Sequence, residues 1–154
     1  MSGAVEHRLT EAGLLLPLAS HALGAYLPAV RVGDLVFTSG QLPLVDGTLL
    51  ATGIVGIDVD PDFAKTCAER CALNALRAAS SVCDLDDIVR VVKLTGFVAC
   101  APGFITQPGV VDGASAVMTV AFGDAGRHAR EAIGVAALPL GSPVEVSVIM
   151  QVRG

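Results

Sequence analysis

No tryptophan occurs in this 154-residue chain, and it has one tyrosine and five phenylalanines spread along its length. Binders of single-stranded nucleic acid stack bases on aromatic platforms beside a basic stripe. Neither is visible here. Ten Lys and Arg stand against fifteen Asp and Glu, a formal net charge of −5, so nucleic acid is not an expected partner. The four cysteines, Cys67, Cys71, Cys83 and Cys100, form no C-x-x-C pair and have no histidine nearby. That removes the familiar zinc and thiol-redox spacings, so no metal site is expected and the cysteines read as reduced core residues. Long apolar runs are missing too. The charge-free stretch Leu94 to Val111 is interrupted by Pro102 and Pro108 and reads as a strand followed by a loop, not a membrane span. The run Leu14 to Leu18 is shorter than a signal-peptide core and contains Pro17, which makes the cytoplasm the expected location.

What is abundant is apolar surface. Hydrophobic residues make up 53% of the chain and charged residues only 16%, and the mean hydropathy is +0.66. The length suits one domain. A lone domain of this composition would struggle to cover its apolar area, so a homo-oligomer is expected.

Residues Ala4 to Gly13 read as a short helix ended by Gly13. Ala29 to Gly40 reads as a hairpin turning at Gly33-Asp34, and it ends in the motif TSGQLP, Thr38 to Pro43. A Gly-rich loop containing Asp46-Gly47 and Gly53 follows. Pro61 opens a long helix to about Val82, with Ala64, Cys67, Cys71, Ala75 and Ala78 on one face. Ile88 to Ala99 lacks clean alternation and reads as a central strand covered on both faces. A second helix is predicted from about Pro108 to Phe122, with Val110, Ala114, Val117, Met118 and Ala121 at helical spacing. In the closing strand Val144, Val146, Val148, Met150 and Val152 alternate with Glu145, Ser147, Ile149 and Gln151. The order predicts an α+β sandwich, a mixed sheet with two helices on one face and a helical N-terminal extension over residues 1–22 before a single domain over 23–154. The opposite sheet face then needs cover from another subunit.

Arg130 opens an apolar, strand-like segment, and Glu145 is the one charge in the closing strand. On neighbouring strands and on one side of the sheet, such a pair makes a small site for a planar anion, because guanidinium forks two N–H donors onto a carboxylate. In the same register Ile133 and Val135 face the core, while Ala132, Gly134 and Ala136 leave room beside Arg130. The alternatives are a structural ion pair for Arg130, a solvated strand position for Glu145 and a packing role for Tyr26. His128 is a general base by type but has no evident partner. His7 and His21 are expected to be solvated.

Three segments in order, TSGQLP, VVKLTGFV (Val91 to Val98) and the A-R-x-x-(I/V)-x-V-x-x-L-P stretch from Ala129 to Pro139, resemble the YjgF or RidA family of reactive enamine/imine deaminases, also labelled endoribonuclease L-PSP or translation initiation inhibitor. The resemblance covers roughly Leu23 to Val152, leaving an extended N-terminus. It implies a chorismate-mutase-like fold and a homotrimer with clefts at the subunit interfaces. It also implies a small carboxylate-bearing metabolite as ligand, with no metal or cofactor. By the same resemblance Arg130 binds the substrate carboxylate, Glu145 positions water, Tyr26 matches the tyrosine of an early G-x-Y motif, and the Gly40 backbone lines the cleft. Asp112 falls, with one residue of gap, where the family has an asparagine. The family's Ser-Cys after the arginine is replaced by Glu131-Ala132, the proline before the tyrosine by Ala25, and the glutamine after it is lost to Pro28. The added acidity would repel a simple 2-imino acid and favour a different or cationic ligand. Three functions remain open: an imine deaminase, a non-catalytic metabolite-binding trimer, and an RNA-cleaving translation inhibitor.

Overall fold

The computed structural model describes residues 3–19 and 24–154. In chain order the elements are α1 (Ala4–Glu11), β1 (Ala29–Val32), β2 (Leu35–Thr38), β3 (Leu44–Val45), β4 (Thr48–Leu49), α2 (Pro61–Ala79), β5 (Ile88–Ala99), α3 (Gln107–Phe122), β6 (Ala129–Val135) and β7 (Val144–Val152). Five strands form one mixed sheet in the order β1-β2-β7-β5-β6. Only the β5–β6 pair is parallel, and α3 makes the crossover between its strands. The predicted α+β class and mixed sheet are therefore observed.

Local chemistry sets the helix limits. The Asp60 carboxylate accepts from the Asp62 amide at 2.8 Å and Pro61 stands in the first turn, so α2 begins with a satisfied donor and a pre-set φ. It stops at Ala79, three residues short of the predicted end. Ser80 and Ser81 there turn their hydroxyls back onto the carbonyls of Arg77 and Ala78, an alternative that competes with the helix. The predicted inner faces hold: Ala64, Cys67, Cys71, Ala75 and Ala78 of α2 are buried, as are Val110, Ala114, Val117, Met118 and Ala121 of α3. Burial pushes the Cys67 thiol up to about 11 and holds Cys71 well above the usual thiol range, so both behave as small apolar groups. The helices cross where a Cβ on Gly113 would run into the Lys65 carbonyl.

Both helices lie on the face carrying Val36, Leu94, Val98, Val144, Val146, Val148 and Met150, which are all buried. On β5 the expectation of cover on both faces is not met. Two register shifts against β7, between Ile88 and Arg90 and between Val91 and Lys93, break the period of two and leave Val89 and Val92 exposed. Bulges, not double burial, erased the alternation. The opposite face carries Val30, Val32, Phe37, Phe97, Ile133 and Ile149 in register, and among the described residues no helix covers it. The small β3–β4 hairpin replaces the predicted loop, with Asp46 and Gly47 both at positive φ in its two-residue turn.

The N-terminal helix is built into the main core through Val5 and Leu9. Its first amides, Ala4 and Val5, donate to the Asp86 carboxylate at 2.8 and 2.9 Å, which lowers the affinity of Asp86 for a proton. Arg8 Nε donates to the Ala121 carbonyl at the end of α3. His7 is solvated beside Glu11. His21 and the expected boundary between residues 22 and 23 lie outside the described residues.

Candidate functional site

Arg130 sits near the start of β6, at the edge of the sheet, and pairs in register with Leu94. Leu94 is fully buried against the helices, so Arg130 projects to the helix side of the sheet. Its Nη1 donates to Asp112 Oδ1 at 2.6 Å and to Ser115 Oγ at 3.3 Å, both on α3. The Arg130 side chain is 26% exposed and that of Asp112 56%. This is a charge-assisted contact at the seam of α3 and β6, open to solvent. Asp112 was a sequence expectation. Ser115, one helical turn later, was not, although its i+3 spacing from Asp112 was the available signal.

Glu145 lies elsewhere. It pairs with Phe97 on β5, three residues beyond Leu94, and β7 alternates buried with half-buried positions. The carboxylate therefore projects to the uncovered face. Two expectations are corrected here. β6 and β7 are not neighbours, because β5 lies between them, and Arg130 and Glu145 are on opposite sides of the sheet. The register of β6 is inverted accordingly. Ala132 packs against the core, a Cβ on Gly134 would meet Gln107 and Cys100, and Ile133 is 40% exposed on the other face. The parallel pairing with β5 sets this register, and composition alone did not reveal it.

Around Glu145 the structure assembles a second group. A Cβ on Gly40 would collide with the Glu145 carboxylate, so the bare Gly40 backbone is what lets the acid lie there. Gln41 bridges to Val146 through both backbone hydrogen bonds, which fixes the SGQ turn against the start of β7. Glu145 makes no ion pair or hydrogen bond among the described residues, and burial raises its affinity for a proton. Tyr26 is 52% exposed in the segment entering β1. That segment is tied to the SGQ turn by Ser39, whose hydroxyl donates to the Leu27 carbonyl at 2.6 Å and whose amide donates to Pro28. Gly40 and Glu145 thus form one group, to which the backbone following Tyr26 is tied through Ser39, and Arg130 with Asp112 and Ser115 form another.

The remaining candidates stay outside both groups. His128 places Nδ1 3.0 Å from the Ala129 carbonyl, and burial lowers its affinity for a proton, with Arg130 adding to the effect. Glu131 pairs with Lys93 at 2.9 Å on the far side of β6 from Arg130. Among the described residues no cluster of three or more His, Cys, Asp or Glu is placed to hold a metal ion, and no helix is long and apolar enough to cross a membrane.

A family model described as "YjgF/chorismate mutase-like, putative endoribonuclease" matches residues 6–152. Protein TCP17 of Trypanosoma cruzi is 38% identical over 154 residues, covering 99% of this chain and 96% of that protein. The crystal structure of Atu1372 from Agrobacterium tumefaciens is 43% identical with a TM-score of 0.89, covering 97% of this chain and 92% of that one. The crystal structure of a "putative endoribonuclease" from Shewanella oneidensis MR-1 is 34% identical with a TM-score of 0.92, covering 97% of this chain and 100% of that one.

Proposed function

The chain belongs to the YjgF/chorismate-mutase-like family, and from that premise we propose that it hydrolyses reactive 2-imino acids and their enamine tautomers to 2-oxo acids and ammonia, in sites shared between the subunits of a cytoplasmic homotrimer. The observation that carries the proposal is the division of the site residues into two half-sites. Arg130 lies at an exposed edge, and an unpartnered Glu145 lies on the uncovered face that also carries Val30, Phe37, Phe97 and Ile149. Packing that face against the β6 edge of a second copy would bring one subunit's Glu145, Gly40 and Tyr26 to the other's Arg130. It would also bury Val30, Phe37, Phe97 and Ile149, answering the excess of apolar surface.

The chemistry then follows from the two groups. Arg130 holds the carboxylate and fixes the imine carbon. Water adds its oxygen to that carbon while Glu145 takes one of its protons and hands it to the nitrogen as the C=N π pair moves there. The carbinolamine then collapses: its hydroxyl proton passes by way of Glu145 to the nitrogen, the C=O bond forms and the C–N bond breaks, releasing ammonia. Half-burial suits Glu145 to this, because a carboxylate with raised proton affinity is a better acceptor than one in water. RNA cleavage, suggested by the names of several relatives, is less well supported. RNA binding needs positive charge along successive phosphates, whereas this chain carries ten Lys and Arg against fifteen Asp and Glu.

The test is ammonia release from an imine generated in situ. The native chain should accelerate it, and Glu145→Gln should slow it by about 10² or more while the affinity for a stable 2-oxo acid holds. No acceleration over buffer by the native chain would overturn the reading.

A further inference from the structure

Asp112 changes what Arg130 can hold. One terminal nitrogen of the guanidinium, Nη1, is committed to Asp112 Oδ1 at 2.6 Å and to Ser115 Oγ at 3.3 Å. Nη2 and Nε make no hydrogen bond among the described residues, and neither does Asp112 Oδ2 on the more exposed of the two side chains. A simple carboxylate arriving here can still take the Nε–Nη2 edge, but it meets a pair whose charges sum to zero, with the like charge of Asp112 beside it. The free edge of the arginine still offers donors. Beside it, Asp112 offers an acceptor that bears a full negative charge. The seat therefore has a cationic and an anionic end side by side.

We infer that Asp112 is a selectivity residue that makes the Arg130 site a seat for small zwitterions, ligands whose carboxylate and protonated nitrogen are attached to the same carbon or to adjacent ones, in preference to carboxylates without a cationic nitrogen. Resting on the carboxylate-binding reading of Arg130, this deepens the proposed reaction. An iminium acid carries positive nitrogen into the site and satisfies both ends. Hydrolysis removes that nitrogen as ammonia, and the oxo acid left behind faces the like charge of Asp112 beside the arginine with no cation to offset it. Asp112 thus favours release of product over retention. Asparagine at this place would keep the shape but lose the charge on which the discrimination depends.

The test compares two stable probes with one carbon skeleton, L-2-aminobutanoate and 2-oxobutanoate, by calorimetry on the native chain, Asp112→Asn, Asp112→Glu and Arg130→Ala, with folding and assembly verified for each. The native chain should prefer the amino acid. Asp112→Asn should tighten 2-oxobutanoate by about tenfold and weaken L-2-aminobutanoate by about tenfold, the scale of one charge-assisted hydrogen bond. Asp112→Glu, which keeps the charge, should retain the native preference. If both probes bind Asp112→Asn as they bind the native chain, and Arg130→Ala abolishes that binding, the carboxylate seat stands and the role of Asp112 is overturned. If neither probe binds, or Arg130→Ala binds both normally, the underlying site assignment falls with it.

Discussion

Arg130 and Glu145 point away from each other across one sheet: Arg130 shares a face with Leu94, Glu145 shares the other with Phe97, and β5 separates their strands. A small ligand cannot bridge them within one subunit. A site that used both residues would have to be closed by a second copy of the chain, as the proposed shared site requires.

Arg130→Lys keeps the charge but replaces a planar fork with a point donor. The ammonium can still reach Asp112 but leaves no second arm for a ligand. Calorimetry should show 2-oxo acid affinity weakened by about 1.5 to 3 kcal/mol, the range for a charge-assisted hydrogen bond, with assembly unchanged. Unaltered affinity would make Arg130 a structural partner of α3.

Two glycines should respond differently to alanine. At Gly40 the added methyl meets the end of the flexible Glu145 side chain, whereas at Gly113 it meets the backbone carbonyl of Lys65. Gly40→Ala should therefore keep its melting temperature within a few degrees and lose turnover by about tenfold or more through displacement of Glu145. Gly113→Ala forces α2 and α3 apart and should cost about 3 kcal/mol in denaturant unfolding. Equal effects on stability would mean that the Gly40 contact is not a positioning device.

Glu145 also links the site to pH. Burial raises its proton affinity in the folded chain above the unfolded value, so the folded state binds this proton more tightly. The carboxylate's contribution is least unfavourable in acid, where it is protonated in both states. It becomes more costly as pH rises through the ordinary carboxylate range to the raised folded value. Glu145→Gln should consequently raise the melting temperature at neutral pH, by an amount that shrinks on acidification below that range. A gain that is independent of pH would point to packing rather than charge.

Much of this arrangement is legible in the residues. Alternation from Val144 to Val152, helical spacing in α2 and α3, and Gly33-Asp34 between two β-rich runs each report a local physical period, and each element formed there, with α2 ending three residues early. The sandwich follows from their order. The spatial order β7-β5-β6 does not, because pairing between strands far apart in sequence leaves no local trace. The side to which Arg130 points depends on that pairing. The β5 bulges hid a one-sided strand for the same reason, since a shifted register mimics a strand buried on both faces. At the site, Asp112 could be picked out by its position, but its hold on Arg130 is a tertiary contact that only the α3 crossover creates.

Mixing two inactive variants tests the shared site most directly. Arg130→Ala and Glu145→Gln, each assembled alone, should retain about 1% or less of native deaminase turnover. Co-assembled in equal amounts, they form some interfaces at which an intact Arg130 from one subunit meets an intact Glu145 from its neighbour. Random association should restore about one quarter of native turnover, since half the interfaces supply the arginine and half of those the glutamate. Activity of the mixture no greater than that of the separate variants, with co-assembly demonstrated, would contradict a site divided between two subunits.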